Sequence, residues 1–286
     1  MTATPETWVK SERQLARERA HRRAGIRNGS LAAASTIVFL AVVVGGVVAS
    51  PGWPSVQDKF FNWGELKAAF PDVLSGFWMN VRIFLLAEPV ILVIGLLVAL
   101  ARGLRNPLFF PLRALAVLYT DVFRGIPTIL LVFMIGFGLP ALGLQGVPTD
   151  AAVLGGGALV LSYGAYVAEV FRAGIDSIHP SQRSAARSLG LSQAQALRFV
   201  VLPQAVRRVV PPLLNDFASL QKDTALVGTL GVVEALRQAQ IHSSDTFNYT
   251  PYLAAAVLFV ALTVPMARFT DHLAARAERR RAPGGK

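Results

Sequence analysis

The chain contains no cysteine. That excludes a disulfide framework, a thiolate metal site and a cysteine nucleophile, and it names no compartment. Charge is scarce too. Asp, Glu, Lys and Arg make up 16% of the 286 residues, where a soluble domain carries about 25%. The four histidines, His21, His179, His242 and His272, stand far apart and form no ligand pattern. The sequence has no G-x-x-x-x-G-K-[ST] phosphate loop, no G-x-G-x-x-G, no H-E-x-x-H and no G-x-S-x-G. Nothing in it marks ATP hydrolysis or covalent catalysis. We therefore expect a non-catalytic chain that binds no cofactor. If ATP drives it, a separate partner chain must bind the ATP.

What is present is apolar: 53% of the residues are hydrophobic. Low charge with high apolar content fits a chain whose solvent is lipid. Long apolar runs cover Leu31–Ser50, Phe77–Ala101, Leu112–Leu139, Ala151–Val170, Val209–Leu236 and Tyr252–Phe269. Each is near or above the ~20 residues that cross ~30 Å of hydrocarbon. The expected fold class is all-α, a polytopic transmembrane helical bundle of about six spans.

The net charge of +11 would suggest nucleic acid in a soluble protein. Here the basic residues fall between the runs and at the ends, without interleaved aromatics, so no nucleic-acid partner is expected. The segments 1–30, 102–113, 172–208 and 268–286 hold 22 Lys and Arg. The segments 51–72, 140–150 and 237–250 hold only Lys59, Lys67 and Arg237. Basic residues concentrate in cytoplasmic loops. The alternation places the chain in the cell membrane, multi-pass, with both termini cytoplasmic. Leu31–Ser50 is long for the 7–15 residue core of a cleaved signal, which favours a retained anchor.

The longest internal cytoplasmic segment, Ile175–Ala205, has its own grammar. Pro180 suits a first helical turn, where its missing N–H costs nothing. Gly190 suits a left-handed C-terminal cap. Ser192 and Gln195 form a capping box that opens a second helix. Leu191, Ala194, Leu197 and Val201 give that helix an apolar stripe, and Pro203 breaks the pattern where the next span begins. A rigid helix between two spans can carry force from a cytoplasmic partner. A partnerless amphipathic surface helix fits the same pattern.

Ala185-Ala186, then Gly190, then Leu202-Pro203 match the signature loop of membrane subunits in binding-protein-dependent ABC importers. Four further pieces resemble the polar amino-acid permeases: Asp121–Phe133, Leu161–Ile175, Leu202–Phe217 and Leu220–Gly228. The resemblance runs from about Phe77 to Phe269. It implies a coupling loop, 177–203, that docks on an ATPase subunit through Ser184, Ala185, Ala186, Gly190, Leu202 and Pro203. It also implies ABC ATPase subunits, a second permease chain (the same or homologous), an extracytoplasmic solute-binding protein, an amino-acid substrate and the surrounding membrane lipid as partners. Ser184 departs from the family, which usually carries Glu there. The implied organisation is a basic tail (1–30), an extra N-terminal span (31–50), the permease domain (70–271) and a second basic tail (272–286).

Charge inside hydrocarbon is costly and usually faces a cavity or a partner. In the fifth run Asn215, Ser219 and Lys222 share one helical face, with Asp216 and Asp223 on an adjacent stripe. Pro211 and Pro212 upstream remove two N–H groups and are expected to break or bend the helix. These residues and Glu88, beside Pro89 in the second run, are the candidate wall of a translocation pathway. The alternative is pairing with neighbouring helices, with Lys222 neutralised by a carboxylate such as Glu169. Asp121 and Arg124, three apart, can form a local pair, while Gly125 and Pro127 nearby suggest a mobile segment. An ion-gradient-driven secondary transporter, using Glu88, Asp216 and Asp223 for coupling, is the alternative function. A non-transporting anchor or sensor is a third.

Overall fold

The computed structural model describes residues 11–104 and 106–279. Lys10, Arg105 and the basic residues after Arg279, assigned above to cytoplasmic segments, lie outside the described residues. The chain divides into two compact units, Met1–Asp58 and Lys59–Lys286. All described regular structure is helical.

The first unit is built on α1 (Glu12–Val48). Ser11 and Gln14 open it with a reciprocal capping box, Gln14 N donating to Ser11 Oγ over 3.3 Å and Ser11 N to Gln14 Oε1 over 3.2 Å. Within α1, Gly25–Val48 is long and apolar enough to cross a membrane. A short helix, α2 (Trp53–Phe60), follows.

The second unit is organised around α3 (Trp63–Arg102) and α7 (Ala151–Asp176), which lie against each other. Every third or fourth residue of α3 is buried: Ala69, Val73, Gly76, Asn80, Ile83, Ala87, Ile91, Gly95 and Ala99. Leu85, Leu86, Val93 and Leu97 are exposed, as a lipid-facing surface requires. Two glycines set the spacing. A Cβ on Gly95 would sit 2.5 Å from Val167 Cγ1, and one on Gly76 only 2.6 Å from the Glu234 carbonyl carbon. Small residues at such crossings let helix backbones approach closely in lipid. Ile83, Ile91, Val132, Leu159, Val167, Leu220 and Val227 fill the core between the elements.

The run Leu112–Leu139 is not one straight span. It forms α4 (Phe110–Gly125) and α5 (Thr128–Gly136), preceded by a turn from Pro107 and followed by a four-residue helix, α6 (Gly138–Ala141). The two halves are bent by 103°. Pro127 explains the corner. Proline pushes the residue before it out of the helical region, and Ile126 sits at φ −94°, ψ 130°.

The loop after α7 holds α8 (Pro180–Ser188) and α9 (Gln193–Ala196). A wide π turn, Leu197–Val201, joins α9 directly to α10 (Leu202–Asp223). The expected break at Pro203 is therefore absent. The chain widens its helix one turn before the proline, a usual way to absorb the missing N–H. Pro211 and Pro212 do not break α10 either. The carbonyls they leave without donors belong to Arg207 and Arg208, both exposed.

The run Val209–Leu236 does end early. α10 stops at Asp223, a 3₁₀ turn covers Thr224–Leu230, and Gly231 reverses the chain at φ 90°. Then come α11 (Ala235–Thr246) and α12 (Thr250–Arg279). The cause is polar. Asn80 Nδ2 donates to Thr224 Oγ1 and to Glu234 Oε2, each over 3.1 Å, and Asn80 Oδ1 accepts from Ala235 N over 3.1 Å. Glu234 caps α11 by accepting from Leu236 N and Arg237 N. This buried network holds the turn where a continuous span would otherwise run. Among the described residues, the stretches Trp53–Arg102, Ala151–Asp176 and Thr250–Thr270 are, with Gly25–Val48, long and apolar enough to cross; the bent pair is a fifth if its two halves count as one span.

Candidate functional site

Two groups of predicted residues are placed. The first is the loop 177–203. His179 Nδ1 accepts from Ser181 N over 3.2 Å and caps α8, with Pro180 in its first turn. α8 ends as the sequence requires. Gly190 adopts φ 86°, Gly190 N donates to Arg187 O over 2.9 Å, and Leu191 N reaches back to Ala186 O over 3.2 Å. That pattern closes a helix with a left-handed residue. Ser192 and Gln195 then exchange hydrogen bonds of 2.8 and 3.2 Å. Caps at both ends and a fixed reversal between them make the loop a stiff unit.

Its faces differ in part from the expected stripe. Ala186, Ala196, Val201 and Ala205 are buried, whereas Ala194 and Leu197 are exposed. The π turn shifts the register, so Ala196 rather than Ala194 turns inward. Ser184 and Ala185 lie on the exposed face of α8, and Leu202 and Pro203 are exposed at the start of α10. Leu189, at the reversal, is 84% exposed.

The second group lies on α10. Asn215 and Lys222 are exposed and Ser219 is half-buried, so the predicted face opens away from this chain's core. Pro211 and Pro212 sit one turn below. The adjacent stripe turns inward. Asp223 accepts from Tyr163 Oη over 2.8 Å, tying α10 to α7. Glu88 is buried, and Glu88 Oε1 and Asp216 Oδ2 are buried oxygens without a hydrogen-bond partner. α10 thus presents an open polar face and a second, acidic one between α3 and α7.

Glu169 does not neutralise Lys222. It is held by Arg102 Nη1 at 2.8 Å and by Arg172, one turn away, with Arg124 Nη1 at 3.9 Å. Three arginines already surround that carboxylate, which leaves it no reason to reach α10. Arg124 also stacks over Tyr166 rather than pairing with Asp121. The sequence reading missed Tyr163, Asn80 and Glu234. Their only signal is isolated polarity within or beside apolar runs. No group of three or more His, Asp or Glu among the described residues is placed to hold a metal ion.

Residues 91–279 match the family of binding-protein-dependent transport system inner membrane components. The chain belongs to that family. A probable glutamine ABC transporter permease protein, GlnM of Bacillus subtilis (strain 168), is 34% identical over 211 residues, 73% of this chain and 95% of that protein. The arginine transport system permease protein ArtQ of the same organism is 33% identical, covering 68% of this chain and 87% of ArtQ. A crystal structure of an amino acid ABC transporter with histidines superposes with a TM-score of 0.68. It is 32% identical and covers 75% of this chain and 98% of that one. In this inner membrane component the match takes in the whole loop 177–203 and all of α7 to α12. α1 lies outside it.

Proposed function

We propose that this chain is the membrane-spanning permease subunit of an ATP-driven importer that moves amino acids across the cytoplasmic membrane. One observation carries the reading: the doubly capped loop 177–203, turned at Gly190, sits within the matched family region. The relatives' names, glutamine and arginine permeases, support an amino-acid substrate.

In this reading the loop is the coupling element. The exposed Leu189, with Ser184 and Ala185 beside it, meets an ATPase subunit that binds and hydrolyses ATP; this chain is not an enzyme. Ala186 faces inward and keeps α8 seated. Because π turn and α10 follow α9 without a gap, displacement of α8 and α9 moves α10 directly. The face of Asn215, Ser219 and Lys222 then lines a pathway completed by a second permease chain. A solute-binding protein delivers substrate from outside, and both termini lie in the cytoplasm. Alternating access follows when ATP binding favours one of two arrangements of the helices.

Ser184 sharpens the test. Its hydroxyl makes one weak bond, to Pro180 O at 3.4 Å, and the loop geometry rests on Gly190 and the caps. Copurification of an ATPase subunit with the tagged chain checks the reading. Ser184→Glu keeps the ATPase, and Ala186→Asp loses it by forcing a charge into a buried position. A wild-type chain that brings down no ATPase contradicts the proposal.

A further inference from the structure

α1 is charged at one end and apolar at the other. In its first part, residues 12–27, Arg13, Arg17, Arg19, Arg22, Arg23 and Arg27 stand against Glu12 and Glu18, so six positive and two negative charges leave +4. The membrane-crossing stretch, Gly25–Val48, follows in the same unbroken helix. Every α1 side chain that the structure describes is exposed, Arg13, Arg17 and Arg27 included. This basic half lies outside the matched family region and takes no part in the site described above.

A straight α1 keeps most of this charge away from the membrane. At about 1.5 Å per residue, the part of the helix ahead of Gly25 reaches about 20 Å past the span. Attraction to a charged membrane surface falls off within a Debye length, about 8 Å in physiological salt. The junction between the halves is weak in bending. A Cβ on Gly25 or Gly29 would meet nothing within 4 Å, so packing does not ask for glycine at either position. Glycine weakens a helix interior all the same. Beside Gly29, Ser30 Oγ donates to Arg27 O over 2.8 Å, a side-chain bond that competes with the helix's own. Glycine-serine pairs are a common place for a helix to kink.

We propose that α1 hinges at residues 25–30 and lays its arginine-rich half along the inner leaflet, where it docks on the headgroups of anionic phospholipids. Basic clusters just cytoplasmic of a span are drawn to anionic lipid, and guanidinium groups match phosphate oxygens with paired donors. The placing of the arginines favours lipid over a protein partner. At 3.6 residues per turn, the six positions cover more than half of the helix circumference. A fixed acidic surface meets one face of a helix, whereas a helix sunk among headgroups meets phosphates on both flanks. The inference rests on the cytoplasmic placement of the N-terminus proposed above.

The chain has no cysteine, so one introduced cysteine carries a label alone. The full chain with Leu15→Cys, labelled with a fluorophore, is placed in liposomes whose lipids carry a headgroup-attached quencher in both leaflets. With phosphatidylglycerol in the bilayer the fluorophore is quenched; in phosphatidylcholine alone it is not. Raising the salt from about 0.1 M to about 1 M, which shortens the Debye length from about 10 Å to about 3 Å, abolishes the quenching. Exchanging Arg13, Arg17 and Arg27 for Gln weakens docking about fivefold per charge. Gly25→Ala with Gly29→Ala keeps every charge and still lowers the quenching, because the stiffened helix holds position 15 off the surface. Equal quenching in the two lipids overturns the proposal. So does quenching that survives the arginine exchanges or the alanine pair, or that appears only when an ATPase subunit is added, which would make an acidic protein surface the partner. Orientation is read separately. An impermeant maleimide modifies Leu15→Cys in inside-out vesicles and not in intact cells; modification in intact cells overturns the cytoplasmic placement, whatever the liposomes show.

Discussion

Tyr163 donates its hydroxyl hydrogen to Asp223 over 2.8 Å, across the gap between the middle of α7 and the last residue of α10. This bond ties the last residue of α10 to α7. Tyr163→Phe keeps the ring in its packed place and removes only the donor. It is expected to cost about 1–3 kcal/mol, the scale of a hydrogen bond to a charged group, and to slow uptake more than it lowers expression. Thermal unfolding in detergent and uptake rate in cells check the two effects separately.

Gly190 stands at φ 86° with nothing near the position of a Cβ, so a side chain meets strain without a clash. Gly190→Ala is expected to cost roughly 1–2 kcal/mol through the left-handed backbone alone. Gly190→Asn, which tolerates that conformation better, recovers part of it. Because the strain falls at the reversal, ATPase copurification declines in that order: wild type, Asn, Ala. Equal copurification in all three contradicts the lever account of the loop.

Gly76 tests the packing of α3 on α11. A methyl there meets backbone at 2.6–2.8 Å, which cannot move aside as a flexible side chain can. Gly76→Ala is expected to destabilise by about 1–3 kcal/mol or more, and to disturb the Asn80–Glu234 network next to it. Gly157→Ala, in α7 with open space around it, is the control and stays near wild type. Melting temperatures of the two variants decide it.

The parts of this structure that were legible in the sequence are those set by local chemistry. Pro180, Gly190, Ser192 and Gln195 each act within one or two turns, and each stands in the geometry its residue type requires. The buried face of α3 was not legible, because the helix is apolar on the lipid side and the core side alike. The corner at Ile126 had its signal in Gly125 and Pro127, but counting apolar residues ran straight through it. The end of α10 had no local signal. It depends on Asn80, which is 144 residues from Thr224. The same holds at the candidate site: Lys222 and Asp223 were visible as intramembrane charge, while Tyr163 as the partner, and Glu169 as partner to arginines instead, follow only from the tertiary arrangement.

The central claim is that ATP, hydrolysed on a separate subunit, drives an amino acid through this chain. Its most direct test is uptake into proteoliposomes that hold the chain, its ATPase and a solute-binding protein on the outside. The account predicts uptake that requires all three proteins with ATP inside, is lost with a hydrolysis-deficient ATPase, and is indifferent to collapse of proton and sodium gradients. Uptake by the chain alone, following a proton or sodium gradient with no ATPase present, would contradict it.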